Sequence, residues 1–219
     1  MSTQTGVDRA LENKHRTLWG LGDYGAIAAD VVAPLGPELV TAAGVGPGVR
    51  VLDIAAGTGN AAIAAAQTGA DVVASDLVPE LLAQGQRRAS AAGVGLVWQE
   101  ANAEALPFDD GTFDTVLSCI GVMFAPHHQR AADELVRVCR PDGTVGLIAW
   151  TPEGFIGQMF ATMKPFVPAP PPGASPPPLW GSEDHVAALF AGKLDDLAMA
   201  RRSLAVGEFS SGATFRDYF

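Results

Sequence analysis

The sequence has few basic residues and very little cysteine. Its 219 residues include 14 Lys and Arg against 24 Asp and Glu, a formal net charge of −10. An acidic chain repels phosphate backbones, so the composition argues against nucleic acid as a partner. The two cysteines, Cys119 and Cys139, lie in separate apolar stretches without a CxxC motif or a neighbouring His. This pattern indicates reduced thiols, and no metal site is predicted.

Long hydrophobic runs are also missing. No stretch approaches the ~18 apolar residues of a membrane-spanning helix. The first residues are polar, without the apolar segment of a secretory signal. Hydrophobic residues nevertheless make up 48% of the chain and charged residues 17%, which suits a packed core. These features predict a soluble, cytoplasmic protein; a homo-oligomer is compatible with the sequence.

Short β-branched runs alternate with helical patterns through the first two thirds of the chain. Strands are predicted at 49–54, 71–76, 95–99, 113–118 and 144–150, and helices at 7–20, 24–43, 79–92, 128–139 and 154–164. A further, alanine-rich helix is predicted after the glycine-rich loop that follows the first strand, to about residue 67. Strands that alternate with helices through short links form a parallel sheet with helices on both faces. The fold class is therefore α/β, with a doubly wound, mostly parallel sheet.

The last third has a different composition. Residues 165–178 contain eight prolines, so this segment is expected to be stiff, extended and excluded from a sheet interior. Ser182 is placed to begin a helix that runs through Phe190. Residues 195–207 are predicted to form a sixth strand.

The loop from Asp53 to Asn60 has the strongest functional pattern. It follows a buried strand, is rich in small residues and precedes a helix, which describes a ligand loop at the carboxyl edge of an α/β sheet. Gly57 and Gly59 also fit a loose dinucleotide fingerprint. Asp53 separates the alternatives, because its carboxylate would repel a pyrophosphate and attract a cationic ligand without phosphate. Asp76, at the end of the second strand, can accept both hydroxyls of a ribose, or it can cap the next helix.

Five segments in order resemble the motifs of one family. They are Val51–Asn60, Ala74–Leu77, Asn102–Phe108, Phe113–Ser118 and Glu134–Gly143. Together they resemble class I S-adenosylmethionine-dependent methyltransferases, and among these the small-molecule type similar to quinone-biosynthesis methyltransferases. The resemblance covers about residues 49–150.

The resemblance implies a Rossmann-like fold and S-adenosylmethionine as cofactor, with S-adenosylhomocysteine as product. The residues expected to bind the cofactor are Asp53, Ala55, Gly57, Gly59, Asn60, Asp76, Leu77, Asn102, Ala103 and Ser118. Asn102 replaces the common Asp, and Met123-Phe124 replaces a His pair found in many relatives. The family fold has seven strands, and a seventh would need sequence beyond Phe219, so we expect a truncated chain that lacks its last strand.

The methyl acceptor is expected to bind against apolar side chains outside the cofactor loop. The residues singled out for this are Trp19, Tyr24, Met123, Phe124, Trp150 and Phe160, which suit a small apolar or aromatic acceptor. Ordinary core packing is the competing interpretation of the same side chains. His127 and His128 are candidates for a catalytic base, although a solvated helix N-terminus would explain them equally well.

We therefore expect three regions: an N-terminal helical cap at 1–45, a cofactor-binding core at 46–151, and a lid with the C-terminal sheet edge at 152–219. The function predicted is direct in-line methyl transfer to a small molecule. Two alternatives stay open, an NAD(P)-binding oxidoreductase and a non-catalytic protein of the methyltransferase fold.

Overall fold

The centre of the fold is a five-stranded parallel sheet. The computed structural model describes residues 16–17 and 31–205, and in that part the strand order is β3-β2-β1-β4-β5. The strands are β1 (Arg50–Ile54), β2 (Asp71–Asp76), β3 (Val97–Glu100), β4 (Phe113–Cys119) and β5 (Cys139–Ile148). Every pairing is parallel. The chain runs outward from β1 to β3 and then returns to place β4 on the other side of β1, so the sheet is doubly wound, as predicted.

Six helices accompany the sheet in the described part of the chain. They are α1 (Leu35–Ala42), α2 (Asn60–Gln67), α3 (Pro79–Ala91), α4 (His128–Val138), α5 (Phe155–Met163) and α6 (Glu183–Leu189). Short 3-10 turns span Gly121–Phe124, Lys164–Phe166 and Pro177–Gly181. Pro79 occupies the first turn of α3, where its missing N–H has no helical partner to lose.

Side chains alternate between the two faces of the sheet and build a core on each. Val51 of β1 packs with the alanines of α2 and with α1, whereas Leu52 packs with α4 and α6 on the opposite face. The core on the Val51 side of the sheet contains many alanines and Gly36, so α1 and α2 approach each other closely there. A side chain at Gly36 in α1 would place its Cβ 2.4 Å from the Asn60 carbonyl oxygen, so that contact requires glycine.

Most predicted elements are confirmed with boundary shifts of a few residues, but two expectations are wrong. β5 begins at Cys139, earlier than predicted, because the expected turn at 141–143 is an irregularity inside the strand where Asp142 has φ +61°. The sixth strand predicted at 195–207 does not form over 195–205, where the backbone pairs with no strand.

Other expectations lie partly or wholly outside the described residues. This applies to the predicted helix at 7–20 except for residues 16–17, to residues 24–30 of the helix predicted at 24–43, and to the chain after residue 205. In the described part of the second helix, residues 31–34 form a turn and only α1 is helical. Within the described part, no helix is long and apolar enough to cross a membrane.

Candidate functional site

The glycine loop lies at the carboxyl edge of the sheet, close to where the strand order reverses. β1 has β2 on one side and β4 on the other, so the loop between β1 and α2 faces the crevice in which open α/β sheets bind ligands. Ala55, Gly57 and Gly59 all have positive φ, at 52°, 55° and 82°. Among residues 16–17 and 31–205, no atom outside its chain neighbours lies within 4 Å of the position that a Cβ on Gly57 would take, so that part of the structure leaves room for a ligand to approach the backbone closely.

Asp53 is buried next to the end of β1, and one of its carboxylate oxygens has no partner among the described residues. Its Oδ2 accepts a hydrogen bond from the N–H of Ala62 at 2.8 Å, whereas its Oδ1 is buried without a partner within the described residues. Burial raises the pKa of this carboxyl to about 7, and the nearby Asp76 adds to the rise. A buried carboxylate that lacks a counter-charge is suited to a cationic group.

Asp76 ties the end of β2 to the glycine loop. Its Oδ2 accepts the N–H of Gly57 at 2.7 Å and its Oδ1 accepts the N–H of Val78 at 2.9 Å. Burial raises the pKa of Asp76, and these backbone hydrogen bonds oppose the rise. Each carboxylate oxygen can accept a further hydrogen bond, so the group can hold the loop and still meet a ribose. Leu77 follows it and is half-buried.

Asn60 and Ser118, two of the residues predicted to bind the cofactor, form side-chain hydrogen bonds with other parts of the protein. Asn60 donates from Nδ2 to the carbonyl oxygen of Val32 at 2.7 Å, which joins the start of α2 to the segment before α1. Ser118 donates to the carbonyl oxygen of Ile54 at 2.6 Å and accepts the N–H of Val122 at 3.0 Å. Both side chains hold the backbone at the carboxyl edge of the sheet. Contact of these residues with the cofactor stays a prediction.

Asn102 and Ala103 lie in the connection after β3, on the Asp76 side of the crevice. Asn102 accepts the N–H of Glu104 at 2.9 Å through its side-chain oxygen, so its amide nitrogen is oriented away from that contact. Glu104 in turn binds His127, with 2.8 Å between Oε2 and Nδ1. The sequence motif gave no signal for this pairing, because the partners are 23 residues apart.

The two candidate catalytic histidines have different surroundings. His128 is buried, its Nδ1 lies 2.9 Å from Nε2 of His185, and its ring packs on Trp180. Burial lowers the pKa of His128 to about 4, and His185 lowers it further. His127 is partly exposed and lies in the connection between β4 and α4.

The predicted acceptor residues are only partly brought together. Phe124 and Phe160 meet edge to face with ring centroids 6.3 Å apart, and Trp150 is half-buried. Met123 is fully buried in the core on the α4 face. Trp19 and Tyr24 lie outside the described residues. Acceptor binding by all of these residues stays a prediction.

Two residues that sequence reasoning missed support the loop from behind. Arg88 of α3 donates to the carbonyl oxygen of Thr58 at 3.3 Å and also bonds the Thr58 hydroxyl. Trp98 of β3 fills the space between Gly59 and Gly85, where a Cβ on either glycine would lie within 2.6 Å of the indole. Both contacts depend on α3 and β3 packing together, which no local pattern encodes.

A cavity of about 350 Å³ lies beside Trp98, between the end of α3 and β3. It is an open groove away from the glycine loop, so we do not assign it to the cofactor. In the described part of the chain, no group of three or more His, Cys, Asp and Glu side chains could hold a metal ion.

The fold and the glycine loop together define a class I methyltransferase fold, and comparison with known sequences agrees. The sequence profile described as "Methyltransferase domain" matches residues 51–143. The Mycobacterium tuberculosis protein Rv1405c is 54% identical over 219 residues, covering 100% of this chain and 80% of that protein. The chain therefore carries a methyltransferase domain with a Rossmann-like fold, and it is related over its whole length to the mycobacterial protein.

More distant relatives agree with this assignment. A demethylmenaquinone methyltransferase from Thermus thermophilus is 39% identical over 115 residues, 51% of this chain and 52% of that protein. The YcgJ protein from Bacillus subtilis superposes with a TM-score of 0.59 over 73% of this chain and 67% of that chain, at 24% identity. The second match shows the shared fold.

Proposed function

We propose that this protein transfers a methyl group from S-adenosylmethionine to a small apolar or aromatic acceptor. The observation that carries the proposal is the pairing of Asp53 and Asp76 at one glycine loop. Within the described residues, Asp53 offers a buried oxygen without a partner, Asp76 offers spare acceptor capacity, and no atom crowds the backbone of Gly57. These features fit a cofactor that combines a cationic amino acid end with a ribose.

Each residue has a proposed part in holding the cofactor. Asp76 would accept the ribose hydroxyls, Leu77 would pack on the adenine, and Asn102 with Ala103 would meet the adenine edge. Ala55, Gly57, Gly59 and Asn60 would give backbone contacts, as would Ser118. The cofactor supplies an electrophilic methyl group, so the protein mainly has to align the acceptor and exclude water.

The acceptor is proposed to lie beside the aromatic pair of Phe124 and Phe160, with Trp150 and Met123 behind it and Trp19 and Tyr24 contributed by the N-terminal region. Residues 152–219 would cover the site, residues 46–151 would hold the cofactor and residues 1–45 would cap it. The proline segment supports a covering role, because the N–H of Ser175 donates to the Pro126 carbonyl oxygen at 2.9 Å beside the site.

A ligand-stabilisation experiment tests the proposal. Purified protein should gain thermal stability with S-adenosylhomocysteine and none with NAD, because a ligand stabilises the folded state that binds it. A rise in the melting temperature with NAD and none with S-adenosylhomocysteine would favour an oxidoreductase. Asp53 argues against that outcome, since its buried carboxylate lies beside the loop that a pyrophosphate would occupy.

A further inference from the structure

Glu104 and His127 form a carboxylate–imidazole pair at the ligand-binding edge of the sheet. Both oxygens of Glu104 contact His127: Oε1 accepts its backbone N–H at 2.7 Å, and Oε2 lies 2.8 Å from its Nδ1. The Glu104 side chain is 10% exposed and that of His127 is 19% exposed. The double contact fixes both the backbone and the ring of His127. Arg130 is the other charged group near the pair, with Nη1 3.9 Å from Glu104 Oε2.

The contact with Glu104 decides which nitrogen of His127 can accept a proton. A carboxylate oxygen accepts hydrogen bonds, so the neutral ring is assigned its hydrogen on Nδ1 and its lone pair on Nε2. Nε2 has no hydrogen-bond partner among the residues that the structure describes. Gly173 of the proline segment lies beside it, since a Cβ there would be 3.9 Å from Nε2. Nε2 therefore lies on the side of the ring next to the proline segment, residues 165–178.

The position of the pair fits the acceptor side of the site. Glu104 follows Asn102 in the connection after β3, and His127 follows Phe124 in the connection after β4. Phe124 carries the edge-to-face contact with Phe160. His128, by contrast, is buried against Trp180 and directs Nδ1 to His185, so it does not face the acceptor side of the site.

We propose that His127 is the catalytic base of the methyl transfer and that the acceptor is a weakly acidic hydroxyl, as in a phenol or enol; this rests on the function proposed above. The acceptor oxygen forms a bond to the methyl carbon, the carbon–sulfur bond breaks with its electron pair left on sulfur, and the hydroxyl proton moves to Nε2 of His127. Glu104 is a positioning residue that selects the tautomer and balances the imidazolium charge.

The first test reads the tautomer directly by nitrogen-15 NMR of histidine-labelled protein loaded with S-adenosylhomocysteine. His127→Gln assigns the signal. The proposal expects the neutral ring to carry its hydrogen on Nδ1 and to leave Nε2 unprotonated, and it expects a larger Nε2–H population in Glu104→Gln. A His127 ring protonated on Nε2 alone in the unaltered protein would overturn it, whether or not any acceptor is turned over.

The second test compares 2-naphthol with 2-naphthylamine, two probes of matched shape, in a methyl-transfer assay. The phenol should be methylated faster, and His127→Ala should lower its kcat by about 100-fold or more. Added imidazole should restore part of that loss, which a merely structural role would not allow. His185→Gln is the control. Unchanged kcat in His127→Ala, or faster methylation of the amine, would contradict the proposal.

Binding of S-adenosylhomocysteine distinguishes failure of the proposed function from failure of the role proposed for His127. We expect His127→Ala to bind it as tightly as the unaltered protein, since the base lies on the acceptor side. Failure of the unaltered protein to bind it would overturn the proposed function itself. Binding together with the wrong tautomer, or without imidazole rescue, would overturn only the role of His127.

Discussion

Asp53 combines two properties that rarely occur together unless a residue has a ligand. It is buried at the centre of the sheet, and one of its oxygens has no partner within the described residues. Burial of an uncompensated carboxylate destabilises the folded state, which is why its pKa rises to about 7. A cationic ligand would supply the missing counter-charge. Asp53 is thus expected to reduce stability in the absence of ligand and to support binding.

We predict that Asp53→Asn changes stability and affinity in opposite directions. An amide oxygen can still accept the N–H of Ala62, but no charge is left to bury, so the melting temperature at pH 8 should rise. Affinity for S-adenosylmethionine should fall by about tenfold or more, because the ammonium loses its partner. Thermal unfolding and calorimetric titration measure the two effects.

Asp71→Asn is the matched control for this prediction. Asp71 begins β2 and is exposed, so its replacement should alter neither the melting temperature nor the affinity. A loss of stability at pH 8 in Asp53→Asn would show that the carboxylate is satisfied in the folded protein.

Single residues of the site were predictable where position alone carries the chemistry. Asp76 ends β2 and Asp53 is the second-last residue of β1, and β-branched runs predicted both strands, so the place of these residues at the carboxyl edge followed from the order of elements. Glu104, Arg88 and Trp98 were not predictable in their roles. Each acts through a partner that is distant in sequence, and only the packing of helices on the sheet brings the partners together.

At the scale of elements, α4 fixes the segment 105–108 that precedes β4. Arg137 donates to the carbonyl oxygens of Leu106 and Phe108, at 3.1 and 2.7 Å. Glu134 accepts the N–H of Leu106 at 2.6 Å and binds Arg137 as well. The bond from Arg137 lowers the pKa of Glu134, so the pair stays ionised near neutral pH. The Glu-x-x-Arg pattern in α4 thus has a structural role, because it holds the segment 105–108 that follows Glu104.

We predict that Arg137→Lys destabilises the protein by about 2 kcal/mol, because an ammonium cannot reproduce the fork that meets two carbonyls and the carboxylates of Glu134 and Asp110. Urea unfolding at pH 7 measures this. Arg140→Lys is the control, since Arg140 is exposed and bonds the Asp114 carboxylate with one nitrogen. Equal effects of the two substitutions would contradict the assigned role of Arg137.

Elements with strong local patterns were predicted well. β2 and α2 occupy the ranges expected from a β-branched run and an alanine-rich run, and α3 begins at Pro79. Errors arose where tertiary context decides. Residues 141–143, which were predicted to form a turn, lie inside β5 because the residues before and after them pair with β4. Residues 195–205 have apolar side chains but find no strand to pair with in the described structure.

At the scale of the whole molecule, two buried groups give stability opposite dependences on pH. The pKa of Asp53 is raised to about 7, so the folded state holds a proton that the unfolded state releases, and stability falls as pH rises towards 7. The pKa of His128 is lowered to about 4 from 6.5, so the unfolded state holds the extra proton, and stability falls as pH drops below 6.5. Between these limits the contributions of Asp53 and His128 oppose each other.

We predict that replacing either Asp53 or His128 reveals the pH dependence of stability that the other group contributes. In His128→Asn the free energy of unfolding should fall as pH rises from 4.5 to 6.5, and in Asp53→Asn it should rise over the same range. The limiting slopes are about 1.4 kcal/mol per pH unit, the value for one proton. Urea unfolding at several pH values gives both slopes. Parallel curves for the two variants would show that these groups do not control the pH dependence.

We propose above all that the loop from Asp53 to Asn60, together with Asp76, binds S-adenosylmethionine. Calorimetric titration of the unaltered protein, Asp76→Ala and the exposed control Asp71→Ala tests this binding. We expect one site per chain, an affinity more than tenfold weaker in Asp76→Ala, a loss of about 1.4 kcal/mol or more, and no change in Asp71→Ala. Equal affinity in all three proteins, or no binding by the unaltered protein, would contradict it.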